Sequence, residues 1–232
     1  MILRVKFTKK NYLRYISHLD LMRLFQRNFR RAEIPIKYSK GFNPHPKFSI
    51  ANPLSLGIES EEEYMDIDLE TKMSAEDFKE KMNKVLPKDI QILESVYLKK
   101  GESISSLISW AFYEINFDIN RDLDKLALEN IIEEWLNLDE IIITRLRKKG
   151  KNRVEKDEDI KSHIGNIVIK RLEDNNITID VLLRSGDKGN LKPMDFMEAL
   201  NKYSSINIDM DSIMIKRLGL YSENNNKIYK PL

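Results

Sequence analysis

The 232-residue sequence contains no cysteine, only three histidines, 8 glycines and 7 prolines. The absence of cysteine excludes disulfide bonds, cysteine nucleophiles, thiolate zinc sites and cysteine-ligated iron–sulfur clusters. No uncharged run approaches the roughly 18 residues of a membrane span, and residues 1–6 alternate between apolar and basic side chains instead of forming a signal-peptide core. We therefore expect a soluble, cytoplasmic protein that does not contact a membrane.

Hydrophobic residues make up 41% of the chain and aromatic residues 9%, which is enough to bury a core. The few glycines and prolines argue against disorder, collagen and low-complexity sequence. Domains usually contain about 100–200 residues, so this length suits one large domain or two of roughly 110 residues each.

The net charge of +2 hides a strong segregation of charge along the chain. Residues 1–50 contain 12 Lys and Arg against 2 acidic residues, whereas residues 51–140 contain 9 basic and 22 acidic residues. Residues 141–156 are basic again, with 7 Lys and Arg against one Glu. This pattern suits a polyanionic partner at one surface and a basic partner or self-association at another, although an uneven solvated surface gives the same counts.

Hydrophobic periodicity and turn residues predict the order β-α-β-β-α-β in each half of the chain, with one extra strand in the second half near the basic loop. The first half has predicted strands at residues 3–7, 47–51, 63–69 and 90–98, and helices that begin at Ser17 and Ser74. The second half has predicted strands at 110–119, 140–146, 164–172, 177–183 and 212–220, and helices at 123–136 and 193–200. The expected fold class is therefore α+β, with two tandem ferredoxin-like halves at 1–104 and 105–232, each an antiparallel sheet with helices on one face.

The first predicted helix carries an arginine ridge, defined as Arg23, Arg27, Arg30 and Arg31. At 100° per residue these side chains fall within about a third of the helix circumference, opposite an apolar stripe of Leu and Phe. Arginine contacts phosphate bidentately, so four guanidinium groups on a rigid element match spaced phosphates. An ordinary solvated helix face is the alternative.

The segment that follows this helix, the 38–48 loop, interleaves aromatic and basic residues around the sequence GFNPHP. Two prolines flank His45 and hold its backbone extended, while Tyr38, Phe42 and Phe48 offer stacking faces beside Lys40 and Lys47. Such interleaving is typical of surfaces that bind single-stranded nucleic acid. A rigid loop that packs its aromatic rings on the core is the alternative.

Two segments of the second half are further candidates for binding anions. A basic loop is predicted at residues 145–153, with Arg145, Arg147, Lys148, Lys149, Lys151 and Arg153 as nucleic-acid contacts. An anion-binding loop is predicted from Gly186, Lys188, Gly189 and Lys192 before a helix N-terminus, with a plain loop as the simpler interpretation. Its spacing differs from that of a Walker motif, which argues against a nucleotide triphosphatase.

The three histidines give little support for catalysis. His18 and His45 are weak candidates for an acid or base, since His18 lies in the first turn of a helix, where amide groups attract anions. Together with His163 they share no metal-ligand spacing, so we expect no metal and no cofactor.

Two motifs resemble those of a known family. The runs YISHLDLMR at residues 15–23 and YSKGFNPHPKFSIANPLSLGIESEEEYMDIDLE at residues 38–70 resemble the radical-SAM-linked proteins, a bacterial family fused to or encoded beside radical SAM enzymes. The resemblance extends weakly over the remaining chain and implies a radical SAM enzyme as partner, often near genes of RNA metabolism. The chain lacks a CxxxCxxC motif, so it would be a free-standing partner and not the radical SAM subunit.

These observations lead to an RNA-binding or substrate-presenting partner of a radical SAM enzyme as the first hypothesis. The enzymatic alternative is a metal-independent endoribonuclease that uses His18 or His45. A pseudouridine synthase is disfavoured, because the sequence around Asp20 and Asp66 does not match the motif of its aspartate nucleophile. A protein-interaction module without nucleic-acid binding, docking a basic partner on acidic residues 59–70 and 122–134, is the third class. We expect that the chain is not an enzyme on its own, and its oligomeric state is left open.

Overall fold

The computed structural model describes residues 1–98, 102–149, 152–225 and 227–232. The fold is α+β, with a mixed, mostly antiparallel sheet and helices, and it divides into two compact units. The first unit comprises residues 1–111 and 216–232, and the second comprises residues 112–215. None of the helices that the structure describes has both the length and the apolar composition that a transmembrane segment requires.

The elements up to residue 107 follow the predicted order. They are β1 (Ile2–Lys9), α1 (His18–Arg31), β2 (Phe48–Ile50), β3 (Glu59–Asp68), α2 (Ala75–Val85), β4 (Ile92–Tyr97) and the short α3 (Ile104–Leu107). A 3-10 helix at Asn11–Tyr15, which the sequence patterns did not predict, connects β1 to α1.

The remaining elements run to the C-terminus. They are β5 (Ile108–Asp118), α4 (Lys125–Leu136), β6 (Ile142–Lys149), β7 (Asn152–Asp159), β8 (Ile164–Glu173), β9 (Asn176–Arg184), α5 (Pro193–Tyr203), β10 (Met214–Asn224) and β11 (Lys227–Tyr229). Two further 3-10 helices lie at Lys161–His163 and Met210–Ser212.

In the first unit, β1 lies between β4 and β3, and pairs antiparallel with both. β2 pairs antiparallel with the end of β3, whereas β10 pairs parallel with its beginning, so the sheet is mixed and not purely antiparallel as expected. The alternating residues Leu3, Val5 and Phe7 of β1 are fully buried among the apolar faces of α1 and α2. The ring of Phe7 meets that of Phe25 edge-on, with 5.0 Å between centroids.

The last long strand, which the sequence patterns assigned to the second half, contributes its residues from Lys216 onward to the first unit. An ion pair fixes it there, because Arg217 Nη1 lies 3.0 Å from Glu63 Oε1 on β3 and both side chains are buried. Arg217 also donates to the carbonyl of Asn52 at 2.9 Å. This pairing is a long-range contact that period-based analysis of a single segment does not reveal.

In the second unit, β9 lies between β5 and β8, and β8 and β9 form the predicted hairpin. The core includes Trp135 of α4 and Phe196 of α5, whose rings meet edge-on at 5.7 Å. β6 and β7 pair with each other in a separate two-stranded sheet. The segment expected as a basic loop at 145–153 is therefore largely a β-hairpin, since Arg145 to Lys149 are paired along β6.

Candidate nucleic-acid interface

The start of α1 is fixed by the N-cap that the sequence predicted. Ser17 Oγ accepts a hydrogen bond from the amide of Asp20 at 3.1 Å and donates one to Asp20 Oδ2 at 2.7 Å. The hydrogen bond from the Ser17 side chain is the main cause of the lowered pKa of Asp20. The capped start holds the arginine ridge in one register relative to the sheet.

All four residues of the arginine ridge are exposed, as predicted from the helical spacing. Arg23 Nη1 lies 3.2 Å from Asp20 Oδ1, so one acidic residue does share this surface. Arg31 donates to Asn28 Oδ1 at 3.4 Å and to the carbonyl of Val85 at 3.5 Å. Among the described residues, Arg27 and Arg30 have no ion-pair partner, which leaves both guanidinium groups available to an external anion.

The opposite face of α1 holds the ridge rigidly. Phe25 and Phe29 are fully buried, and the Phe29 ring meets the ring of Phe48 at 5.2 Å between centroids. Because an α-helix rises 1.5 Å per residue, Arg23, Arg27 and Arg31 follow one another at intervals of about 6 Å along the axis. The ridge is thus a preorganised row of positive charge.

The 38–48 loop is closed at its base by hydrogen bonds within the loop. The amide of Ser39 donates to the carbonyl of His45 at 2.8 Å, and the amide of His45 donates to Ser39 Oγ at 3.0 Å. Gly41 has a φ of 133°, a conformation that side chains disfavour, and it allows the chain to turn at the tip. The loop therefore projects its tip from a fixed base.

The three aromatic rings of the 38–48 loop have different environments. Phe42 at the tip is fully exposed, and Lys40, His45 and Lys47 are exposed as well. Tyr38 and Phe48 instead pack against the hydrophobic core. These two partly buried rings fit the alternative of core packing, which leaves Phe42 as the fully exposed ring of the three.

His18 is the first residue of α1, and its Nδ1 is buried without a hydrogen-bond partner among the described residues. Burial lowers the pKa of His18, and the positive charge of Lys9 lowers it further. His45 is exposed at the tip of its loop. Neither histidine forms an ion pair with a carboxylate in the part of the chain that the structure describes, so no oriented acid–base pair is visible at either position.

A buried cluster of charges lies behind His18. It consists of Lys9, Glu63 and Arg217, all of which are nearly inaccessible to solvent. Burial raises the pKa of Glu63, although the charge of Arg217 opposes the rise, and burial likewise lowers the pKa of Lys9. Lys9 Nζ donates to the carbonyl of Ile16 at 3.3 Å, directly before the Ser17 cap. Through this hydrogen bond of Lys9, the cluster contacts the chain at the start of α1.

The carboxylate of Asp66 is fully engaged by hydrogen bonds within the fold. Its carboxylate accepts from Arg4 Nε at 2.8 Å, from Arg4 Nη2 at 3.0 Å and from the amide of Ile104 at 2.8 Å. A carboxylate held by three donors is stabilised in place and is not free to attack a ligand. Among the described residues, no group of three or more His, Asp or Glu side chains is arranged to hold a metal ion.

The basic hairpin of the second unit is partly neutralised by its own surroundings. Arg145 Nη2 lies 2.8 Å from Asp195 Oδ2, and Arg145 Nη1 lies 3.2 Å from Glu158 Oε2. Arg153 is exposed on β7. The backbones of Arg147, Lys148 and Lys149 lie in β6, and Lys151 lies outside the described residues.

One glycine of the predicted anion-binding loop, Gly189, packs closely against His163. Gly186 and Gly189 have φ values of 135° and 143°, and a Cβ on Gly189 would lie 2.6 Å from His163 Nε2. Lys188 and Lys192 are exposed beside the start of α5, where Lys192 provides no side-chain cap. Close contact with the imidazole thus accounts for Gly189, while anion binding by the loop remains a prediction.

The 3-10 helix at Asn11–Tyr15 presents two tyrosines that lie outside the nucleic-acid contacts predicted from the sequence. Tyr12 and Tyr15 are 85% and 59% exposed, directly before the ridge helix. The available signal was the Tyr-x-x-Tyr spacing in a segment of otherwise basic charge. A 3-10 helix this short has no apolar period that can be recognised in a sequence.

Solved structures share the fold. The chain is similar to the structure titled "Structure of H/ACA RNP bound to a substrate RNA containing 2'-deoxyuridine", with 8% identity and a TM-score of 0.51 over 93% of this chain and 46% of that chain. It is also similar to the "Crystal Structure of a Cbf5-Nop10-Gar1 Complex", with 8% identity and a TM-score of 0.50 over 94% of this chain and 48% of that one. The chain spans less than half the length of either protein, and at this identity the likeness concerns the fold alone.

Sequence comparison adds a family. A family model described as "Uncharacterized protein conserved in bacteria (DUF2344)" matches residues 3–193. No curated protein matches the sequence.

Proposed function

The chain belongs to the DUF2344 family of conserved bacterial proteins, and we propose that it binds RNA through the arginine ridge and the tip of the 38–48 loop. The family description assigns no ligand, so the proposal rests on the chemistry of these side chains. Basic side chains on a rigid helix beside an exposed aromatic ring are the combination that phosphate and base recognition require.

The observation that carries the proposal is that Arg27 and Arg30 are exposed and without an ion-pair partner among the described residues. Both lie on a capped helix. Exposed like charges at this spacing repel one another, so a neutralising partner is favoured. A phosphate backbone supplies negative charge at repeated intervals along a strand.

The fold is compatible with this role. One of the solved structures that share it is an H/ACA RNP bound to RNA, which is consistent with an RNA ligand here. The order β4-β1-β3-β2 in the first unit, with α1 and α2 as the two connections, supports the expected ferredoxin-like arrangement of that unit.

The radical SAM enzyme suggested by the sequence resemblance is the proposed protein partner, and both would act in the cytoplasm. In this scheme the chain presents RNA to the enzyme. The support is the YISHLDLMR and GFNPHP motifs, which include the capped start of α1 and the projecting loop. Co-purification of the two proteins with and without ribonuclease treatment tests whether they associate directly or through RNA.

The RNA proposal is tested by removing the two unpartnered arginines together. Because alanine has the highest helix propensity, Arg27→Ala/Arg30→Ala removes two charges without weakening α1. We expect RNA affinity to fall about tenfold or more, and the slope of log K against log[salt] to shrink by about 1.4, since each phosphate contact contributes about 0.7 with single strands.

The matched control is Lys81→Ala/Lys84→Ala, which removes the same charge from exposed positions on α2 of the same unit. We expect this variant to keep both the affinity and the salt slope. If the two double variants lose affinity equally, the ridge is not the binding surface. Each titration is also examined for RNA cleavage in chelator, because cleavage lost in His18→Ala or His45→Ala would favour the endoribonuclease instead.

A further inference from the structure

We propose that unpaired RNA bases stack on Tyr12 and Tyr15, here called the tyrosine platform, so that the RNA partner is single-stranded at this point. The inference rests on the proposed RNA binding and specifies which form of RNA is bound. It derives from the 3-10 helix Asn11–Tyr15, an element outside both the arginine ridge and the 38–48 loop.

The geometry of the 3-10 helix aligns the two rings. A 3-10 helix has three residues per turn, so side chains at positions i and i+3 eclipse on the same face. With a rise of about 2.0 Å per residue, Tyr12 and Tyr15 are separated by about 6 Å along the axis. Two neighbouring aromatic faces on one side of an element form a surface on which bases can stack.

The segment that carries the platform is held in place from several directions. Leu13 and Ile16 pack against the hydrophobic core, so the opposite face points outward. Asn11 Nδ2 donates to Asp89 Oδ1 at 2.7 Å, and the amide of Gly57 donates to the carbonyl of Arg14 at 2.9 Å. A fixed platform loses little conformational entropy when a ligand binds.

The two rings are exposed and lie beside a cation. Tyr12 is 85% and Tyr15 59% exposed, and the guanidinium of Arg14 lies 4.9 Å from the centroid of the Tyr15 ring. Leu19 and Leu56 are also largely exposed. Tyrosine at such exposure contributes little to the stability of the fold, which leaves the Tyr12 ring and the face of Tyr15 opposite Arg14 open to a ligand.

The cleft beside the platform carries equal numbers of basic and acidic side chains, so the phosphate contacts are supplied by the ridge and not by this cleft. This cleft of about 370 Å³ beside Tyr12 is lined by Arg14 and Lys88 together with Glu59, Asp89 and Asn11. Its acidic residues are engaged within the chain, Glu59 with Arg14 at 3.2 Å and Asp89 with Asn11 at 2.7 Å. Only Ile16 and Ser17 separate the platform from α1, so the platform and the ridge belong to one continuous segment, residues 11–31.

The test compares Tyr12→Ala/Tyr15→Ala with Tyr12→Phe/Tyr15→Phe, using a fluorescein-labelled 12-nucleotide RNA either single-stranded or annealed to its complement. Wild type is expected to prefer the single strand. The alanine variant is expected to lose about 5- to 160-fold in affinity for it for each base that no longer stacks, since a stacked base contributes about 1–3 kcal/mol. The phenylalanine variant keeps the aromatic faces and should bind like wild type.

The salt slope separates stacking from charge. It should be unchanged in the alanine variant, because no phosphate contact is removed. Tyr229→Ala removes an exposed tyrosine from β11 of the same unit and should have no effect. If both tyrosine double variants bind single-stranded RNA like wild type while Arg27→Ala/Arg30→Ala does not, stacking is refuted and the ridge remains. If wild type binds neither RNA, both proposals fail.

Discussion

Replacing Arg217 by methionine tests the contact that attaches the C-terminal strand to the first unit. The variant leaves Glu63, which is fully buried, without the guanidinium that lies 3.0 and 3.1 Å from its two oxygens. Removing one partner of a buried ion pair costs about 3–5 kcal/mol, a large part of the roughly 5–15 kcal/mol that stabilises a typical protein. For a chain of this size the melting temperature should fall by roughly 6–20 °C.

The pH dependence identifies the cause of that loss. Burial raises the pKa of Glu63 above its ordinary value of 4.5, and loss of Arg217 removes the main opposing effect. Between the ordinary and the raised pKa, the folded chain binds more protons than the unfolded chain, so the penalty for the buried charge is relieved as the pH falls. The difference in the free energy of unfolding between wild type and Arg217→Met should therefore shrink toward acid pH.

The assay is urea unfolding followed by circular dichroism between pH 5 and pH 8. The double variant Glu63→Gln/Arg217→Met has no carboxylate at position 63 and is expected to be more stable than Arg217→Met alone, with less dependence on pH. The buried-charge explanation would be refuted if the free energy of unfolding of Arg217→Met lay within about 1 kcal/mol of wild type. It would also be refuted if the loss were the same at every pH and the same in the double variant.

Two further predictions concern Gly189 and His18. Gly189→Ala should lower the free energy of unfolding by about 1–3 kcal/mol, because its φ is 143° and the new Cβ would lie 2.6 Å from His163 Nε2. Adding His163→Ala to Gly189→Ala removes the clash but not the strained φ. The double variant should therefore recover only part of the lost free energy of unfolding, as measured by urea unfolding. Burial and Lys9 lower the pKa of His18, so protonation below pH 6.5 favours the unfolded chain and wild type should lose stability as the pH falls toward the lowered pKa. His18→Asn should flatten that slope between pH 6.5 and pH 5, and an unchanged slope would contradict this role for His18.

Elements with local signals were predictable from the sequence. The Ser17 cap, the apolar stripe of α1 and the exposure of the ridge follow from helical spacing, and all three are present. The hairpin of β8 and β9 follows from two alternating runs around the turn at Asp174, whose φ is 50°. In each case the residues that decide the structure are close together in the sequence.

Features that depend on distant residues were not predictable. The parallel pairing of β10 with β3 joins residues more than 150 positions apart through Arg217 and Glu63. The partial burial of Tyr38 and Phe48 depends on core residues of other elements, whereas Phe42 lies at the exposed loop tip. Periodicity describes a single segment, so it does not reveal which neighbour covers a side chain.

RNA binding through charge on the arginine ridge, as proposed above, can be measured in one titration. The most direct measurement is the fluorescence anisotropy of a labelled single-stranded RNA titrated with wild-type protein at several salt concentrations. We expect binding at low salt that weakens linearly on a log–log plot as salt increases, with a slope of magnitude about 1.4 or more if Arg27 and Arg30 both contact phosphates. Absence of binding at low salt, or an affinity independent of salt, would contradict the proposal.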